Sequence, residues 1–156
     1  MQNNRPEEGT LPFLGEELKI ERTLSGHVRK AGEVLFVPTG DETELITEWL
    51  RKQAAVYLPQ RLEIRAGELG LFFVKCKISG ARRSWGSCTS EKNINLSWRL
   101  MMCERKAIDY VIVHELCHLI HMDHSPAFWA EVERILPDYR ESKKWLKDHN
   151  HIMDML

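Results

Sequence analysis

The sequence lacks any apolar run that approaches the roughly 20 residues needed to cross a bilayer. Its first ten residues, MQNNRPEEGT, are polar and lack the apolar centre of a secretory signal peptide. It also lacks a CxxC pair, because the four cysteines are widely spaced, at Cys76, Cys88, Cys103 and Cys117. We therefore expect a cytoplasmic protein with no membrane association and no disulfides.

Neither sign of charge predominates, because 22 Lys and Arg residues are balanced by 23 Asp and Glu residues for a net charge of −1. This balance argues against a protein that binds nucleic acid through bulk positive charge. Basic side chains are nevertheless concentrated in one segment, at Lys75, Lys77, Arg82, Arg83 and Lys92. A solvated surface is the simpler interpretation of this basic segment, and a contact surface for an acidic partner is the other.

The length and composition indicate one α+β domain over residues 1–156. A chain of 156 residues has the usual size of a single domain, and 43% hydrophobic residues are enough for a core. The sequence contains no repeats and no long linker. Its N-terminal half has the pattern of strands and one helix, and its C-terminal half is mostly helical. The residues that carry chemical motifs lie within about 71–148.

Two strands and a long helix are predicted for the first 70 residues. Alternating apolar residues predict a strand over residues 16–24, and a short apolar run predicts another at Val34–Val37. Asp41, with a glutamate three residues later, is typical of a helix N-terminus, and apolar residues recur beyond it at helical spacing. Pro59 should kink or end this helix, and the helical pattern resumes as far as Gly70, a suitable C-terminal stop.

A β-hairpin and three helices are predicted for the rest of the chain. The strands of the hairpin are Leu71–Ile78 and Ile94–Trp98, and the Gly- and Ser-containing segment GARRSWGSCTSEKN joins them. Helical spacing then begins at Glu104 and continues through His121. Two further helices follow, one that starts at Ser125-Pro126 and a short one over Tyr139–Asp148.

The sequence His114-Glu115-Leu116-Cys117-His118 has the pattern H-E-x-x-H. Two histidines four residues apart project from one face of a helix, where two neutral imidazoles can bind one Zn²⁺. Glu115 lies beside the first of them and can accept a proton from water instead of binding the metal. Apolar residues surround the motif, so these side chains would be costly to bury unless they were paired or bound to a metal. We therefore predict His114 and His118 as metal ligands and Glu115 as the catalytic acid/base.

His124 is the favoured third ligand. It follows His118 by six residues, the interval that separates the second and third ligands in HExxHxxGxxH zinc peptidases. We expect the helix to end near residues 122–123, so that His124 lies in a corner between two helices and faces back across the metal. His121, one turn beyond His118 on the same helix, is predicted to contact substrate or a ligand. His121 and Glu131 are the alternatives to His124 as the third ligand.

Further motifs carry a resemblance to a known family. They are WGSC at residues 85–88, INLSWRL at 94–100, IDYVIVHELCHL at 108–119, HSPxFW at 124–129 and LPDY at 136–139. In these motifs the chain resembles the YgjP-like metal-dependent hydrolases, a zincin-type family related to the SprT-like proteases. The resemblance implies a zincin-like α+β fold, zinc binding by His114, His118 and His124, and acid–base catalysis by Glu115.

Together these patterns predict a hydrolase with one Zn²⁺ per chain, most simply a metallopeptidase that cleaves the amide bonds of a peptide or protein. Trp85 and Gly86 are predicted to border the cleft, where tryptophan gives a flat wall and glycine lets a backbone approach closely. The zinc itself, His121 or Tyr139 could stabilise the oxyanion. Two alternatives stay open. One is a SprT-like protease that acts on DNA-associated proteins through the basic segment, and the other is a non-enzymatic zinc-binding interaction module.

Overall fold

The computed structural model describes residues 9–156. The expectation about a signal peptide concerns mainly residues 1–8, which lie outside the described residues. The described chain forms two small sheets and four α-helices, which confirms the α+β class. The strands are β1 (Thr10–Phe13), β2 (Glu16–Thr23), β3 (Arg29–Ala31), β4 (Val34–Pro38), β5 (Lys75–Ser79), β6 (Gly86–Cys88) and β7 (Asn93–Ser97). The helices are α1 (Glu42–Leu69), α2 (Arg105–Cys117), α3 (Pro126–Ile135) and α4 (Tyr139–Asp148), with short 3₁₀ helices at Trp98–Met102 and Asn150–Asp154. No helix within residues 9–156 is long and apolar enough to cross a membrane.

The first sheet has the strand order β1-β2-β4-β3. β2 and β4 are the strands predicted from the sequence, and they pair in parallel, with Ile20 opposite Leu35. The sequence does not predict β1 or β3, which have only four and three residues. All of β3 is exposed, so it has no buried face from which an alternating pattern could arise.

Helix α1 runs without interruption for 28 residues. Its N-terminus is capped as predicted, because Asp41 Oδ1 accepts a hydrogen bond from Glu44 N at 3.1 Å. Gly70 ends the helix in the left-handed conformation, with φ of 66°. The expectation that Pro59 ends the helix is wrong, since the helix continues through it. Burial on both sides of the proline offsets its cost of about 3 kcal/mol. The buried stripe consists of Ala54, Leu58, Leu62 and Ala66.

The second sheet has the order β5-β7-β6 and corrects the predicted hairpin. β5 and β7, predicted as Leu71–Ile78 and Ile94–Trp98, are parallel, with Cys76 opposite Ile94. β6, which lies in the predicted connection, forms the hairpin with β7 instead, with Gly86 opposite Leu96. Alternation of apolar residues looks the same in either strand direction, so the pattern alone could not distinguish the two pairings.

Helix α2 ends earlier than predicted. The sequence predicts a helix through His121 that ends near residues 122–123, whereas α2 ends at Cys117 and His118 is its C-cap. The chain continues in tight turns, in which His121 N donates to the Cys117 carbonyl at 3.0 Å. The prediction that His121 lies on this helix, one turn beyond His118, is therefore wrong.

Helices α3 and α4 begin where the sequence predicts. Ser125 caps α3 by accepting a hydrogen bond from Phe128 N at 3.3 Å, and Pro126 is the first helical residue. α4 has the predicted bounds. Both helices pack against α2, and Ser142 of α4 donates a hydrogen bond to the Lys106 carbonyl in the first turn of α2 at 3.4 Å.

Candidate active site

Three imidazole rings converge at the carboxyl end of α2. His114 lies in the helix, His118 is its C-cap, and His124 directly precedes the N-cap of α3. The Nε2 atoms of His114 and His124 are 3.3 Å apart. One ring nitrogen from each of the three histidines lies within 4.8 Å of the other two. The structure thus brings together the three side chains predicted as ligands, and their assignment as ligands stays a prediction.

The cluster has the donor chemistry and the spacing of a zinc site. Zn–N bonds of about 2.0–2.1 Å at tetrahedral angles separate two imidazole nitrogens by about 3.3 Å. The Nε2 atoms of His114 and His124 have this separation. Three nitrogen donors also leave one tetrahedral position for water or substrate, as in catalytic zinc sites. The residues present therefore fit a zinc ion.

The early end of α2 orients the ring of His118. His118 Nδ1 donates a hydrogen bond to the main-chain carbonyl of His121 at 2.9 Å, which leaves Nε2 as the nitrogen available for a metal. Tyr110 Oη lies 3.4 Å from His114 Nδ1, so the Tyr110 hydroxyl contacts the His114 ring at the same nitrogen that the His121 carbonyl contacts in His118. The sequence predicts a contact through the His121 side chain, but the contact found here is made by its carbonyl, which no side-chain pattern could reveal.

Aromatic residues of α3 enclose the imidazoles. Phe128 stacks on His118 with ring centroids 4.4 Å apart, and it is fully buried. Trp129 lies with its ring centroid 5.6 Å from that of His114 and 6.0 Å from that of His124. Phe128 belongs to the motif HSPxFW, but the sequence does not identify it as part of the site. Its position four residues after His124, in the first turn of the next helix, is the signal that could have linked it to the site.

Burial favours the neutral form of two of the clustered imidazoles, those of His114 and His118. Desolvation, followed by the effects of the neighbouring His118 and His124, lowers the pKa of His114 to about 3. Burial also lowers the pKa of His118. Neutral imidazole is the form that binds metal ions, so these rings can bind a cation at neutral pH without first losing a proton.

Glu115 lies beside the cluster and is 4% exposed. Its Oε1 is 4.0 Å from His114 Nε2, and its Oε2 is buried with no hydrogen-bond partner among residues 9–156. Burial raises the pKa of this carboxyl to about 7. A buried carboxyl oxygen without a protein partner is costly, so it marks a position where water or substrate completes the hydrogen bonding.

A cavity of about 300 Å³ opens beside His114 and Glu115, and Trp85 and Gly86 line it. A Cβ atom at Gly86 would lie 3.0 Å from the Asn95 carbonyl oxygen and 3.2 Å from Glu115 Cγ. Glycine therefore allows the sheet to approach the carboxylate at this point. The structure brings the two predicted cleft residues to the site, and their role in substrate binding stays a prediction.

Other residues considered from the sequence lie outside the cluster of three histidines. Glu131 forms an ion pair with Arg134 at 3.0 Å. Tyr139 is buried and stacks on Trp129 with ring centroids 5.4 Å apart. Burial, with a smaller effect of Glu115, raises the pKa of the Cys88 thiol to about 11. Cys88 is therefore protonated at neutral pH and unsuited to bind a metal as a thiolate.

The fold resembles that of a known metallopeptidase, and three histidines of the described chain could hold a metal ion. The crystal structure of the metallopeptidase zymogen of Pyrococcus abyssi abylysin has a similar fold, with a TM-score of 0.51. The two sequences are 24% identical, over 58% of this chain and 93% of that one. No curated protein matches the chain. The chain belongs to the YgjP-like metallopeptidase domain family, which matches residues 2–149, and it is a metal-binding hydrolase. The resemblance seen in the sequence is thereby confirmed.

Proposed function

We propose that this protein is a zinc-dependent peptidase that cleaves amide bonds of peptides or proteins, and that residues 1–156 form one catalytic domain. One Zn²⁺ per chain is held by His114, His118 and His124. The observation that carries this proposal is the convergence of three imidazoles beside the buried carboxyl group of Glu115, with Nε2 atoms of two rings 3.3 Å apart. The four free cysteines support a reducing, cytoplasmic setting.

Glu115 is the acid/base of the reaction. Zinc, when bound, supplies Lewis acidity that lowers the pKa of water towards about 7 and polarises a substrate carbonyl. Glu115, whose Oε1 lies 4.0 Å from His114 Nε2, accepts the proton of the attacking water and delivers it to the leaving amine nitrogen. Phe128 and Trp129 restrict the access of solvent to the imidazole rings on the opposite side.

The β6 edge of the second sheet offers main-chain groups for substrate binding beside Glu115. Trp85 O accepts a hydrogen bond from Ser97 N at 2.9 Å, so the alternate residues Gly86 and Cys88 direct their N–H and C=O groups away from β7. The Gly86 carbonyl also accepts a hydrogen bond from the Ser84 hydroxyl at 2.6 Å. An extended peptide can pair with such an edge whatever its side chains are.

The test is metal analysis of the purified protein together with cleavage of a peptide library by the wild type and Glu115→Gln. Glutamine keeps the shape of the side chain and removes the base, so turnover should fall by about 10²–10⁴-fold while one zinc per chain remains bound. Glu91→Gln, which changes an exposed carboxyl, is the matched control.

Near-normal cleavage by zinc-loaded Glu115→Gln would contradict the role of Glu115. If the zinc-loaded wild type cleaves no peptide, the non-enzymatic zinc-binding module becomes the better interpretation. For a protease that acts on DNA-associated proteins, the basic segment gives divided support. Lys75 and Lys77 lie on β5, at the opposite edge of the sheet from β6, which packs against α2. Arg82 and Arg83 are exposed and directly precede Ser84 and Trp85, which line the cavity.

A further inference from the structure

The cavity beside Glu115 has apolar walls and one cationic side chain. Trp85, Val111 and Leu146 are among the apolar residues that line it. The catalytic side is formed by His114 and Glu115, and among residues 9–156 Lys143 of α4 is the only Lys or Arg in the lining. A volume of about 300 Å³ is large enough for one or two amino-acid side chains of a peptide.

Lys143 is positioned by the helix that carries it. Lys143 and Leu146 are three residues apart on α4, so both face the cavity, whereas the exposed Lys144 is turned away from this face. Lys143 Nζ lies 4.3 Å from the centroid of the Trp129 ring, close enough for a cation–π contact. This contact limits the freedom of a long side chain and holds its charge near the imidazole cluster.

No carboxylate of residues 9–156, not even that of Glu115, lies within 4.0 Å of the Lys143 ammonium nitrogen. Acidic side chains of the surrounding helices are already paired with other cations. Lys106 contacts Asp138 at 2.8 Å and Glu141 at 2.7 Å. The other pairs are Arg140 with Glu133 and Arg134 with Glu131. The ammonium group in the cavity is thus left for a partner that the described chain does not supply.

We propose that Lys143 binds a carboxylate of the substrate and makes the enzyme selective for peptides with an acidic group next to the cleaved bond. This inference rests on the proposed peptidase function. The apolar walls contact the aliphatic part of the residue, and Lys143 pairs with its charged end. The same chemistry is presented by a Glu or Asp side chain and by a free peptide C-terminus, and these two sources can be separated experimentally.

The test compares matched peptides that carry Glu, Gln or Lys on one side of the cleaved bond, with the C-terminus amidated. A second pair carries Leu at that position and has either a free or an amidated C-terminus. The ratio of kcat/KM for Glu over Gln should be about fivefold or more in the wild type, near one in Lys143→Met, and inverted in favour of Lys in Lys143→Glu. Lys144→Met is the matched control and should keep the wild-type ratio.

High salt should reduce the preference of the wild type, because the contact at the cavity rim is electrostatic. An equal loss of activity for all peptides in Lys143→Glu would overturn the proposal and indicate a general role in the reaction. The proposal is also overturned if Lys143→Met changes neither the Glu-to-Gln ratio nor the preference for a free over an amidated C-terminus. If only the free C-terminus is preferred, and this preference is lost in Lys143→Met, the carboxylate is the terminal one and the proposal stands.

A binding measurement separates this inference from the proposed function. The same peptides are titrated calorimetrically into zinc-loaded Glu115→Gln, with and without Lys143→Met. Tighter binding of the Glu peptide that is lost with Lys143→Met supports the carboxylate site even if the wild type cleaves none of the peptides. Equal binding of the Glu and Gln peptides, and of the free and amidated Leu peptides, would refute it.

Discussion

The two halves of helix α2 differ in how completely their polar groups are paired. In the first half, Asp109 accepts two hydrogen bonds from Arg65 of α1, at 2.9 and 2.6 Å, so that a partly buried charge is fully compensated. In the second half, Glu115 has a buried oxygen with no partner among residues 9–156, and three imidazoles lie against one another at its end. One half of the helix carries an ion pair that stabilises the fold, and the other half carries side chains of the candidate metal site.

This difference shows that residues important for stability and residues suited to chemistry occupy separate halves of helix α2. Groups arranged for catalysis leave polar atoms unsatisfied, and the fold must compensate for them elsewhere. Here the compensation lies a little more than one turn away, in the contact between α1 and α2 and in the apolar face that α2 buries. Changes in the first half of α2 should therefore alter unfolding, and changes at its end should alter metal binding.

The largest effect that tests this comparison is expected for His124→Ala. Loss of one of three imidazole donors should weaken zinc binding by more than about 100-fold, with little effect on the fold of α2. His121→Ala is the control, because it keeps the main-chain carbonyl that accepts from His118 Nδ1, and zinc affinity should change by less than about threefold. Competition with a chelating dye measures both. If His121→Ala empties the site and His124→Ala does not, the ligand set is wrong.

A smaller effect, on unfolding instead of metal binding, is expected for Asp109→Ala. It removes two charge-assisted hydrogen bonds from Arg65, whose side chain is 20% exposed, and should lower the free energy of unfolding by about 2 kcal/mol. For a chain of this length the melting temperature should fall by about 4–8 °C.

Glu68→Gln is the control for this change, because Glu68 contacts the same arginine at 3.2 Å but is 55% exposed, so its loss should cost less than about 0.5 kcal/mol. Thermal unfolding and zinc titration should be measured on the same samples. A large drop in zinc affinity at unchanged stability in Asp109→Ala would break the distinction between the two halves.

The smallest effect is expected for Tyr110→Phe. The hydroxyl of Tyr110 is 3.4 Å from His114 Nδ1, a long contact, so its removal should weaken zinc binding by about three- to tenfold without affecting unfolding. Tyr139→Phe is the matched control, because that ring stacks on Tyr110 and makes no hydrogen bond to the described histidines. Equal effects of the two substitutions would show that the Tyr110 hydroxyl has no specific role in positioning His114.

Much of this arrangement is predictable from the sequence, because strong local signals specify it. The cap at Asp41, the stop at Gly70 and the start of α3 at Ser125 each rest on one hydrogen bond or one backbone conformation. The spacing of His114, Glu115 and His118 likewise reflects the geometry of one helix, so the candidate site could be located before the structure was known.

The features that the sequence does not predict depend on contacts between distant segments. The parallel pairing of β5 with β7 is decided by how the chain returns between them, and the apolar pattern contains no information on direction. Helix α1 continues through Pro59 because packing on both sides outweighs a local preference. Helix α2 ends at Cys117, where the His121 carbonyl turns back to His118, and only the folded chain reveals that main-chain contact.

The close contact between Gly86 and Glu115 has a consequence for where a peptide would lie relative to the carboxylate. A side chain at position 86 would occupy the space between the edge strand and the carboxylate, because its Cβ atom would lie only 3.2 Å from Glu115 Cγ. A peptide paired with β6 would therefore lie at a depth determined by main-chain atoms alone, and these are common to all peptides. In the proposed binding mode, the edge strand sets the position of the cleaved bond, and the side chains that enter the neighbouring cavity determine selectivity.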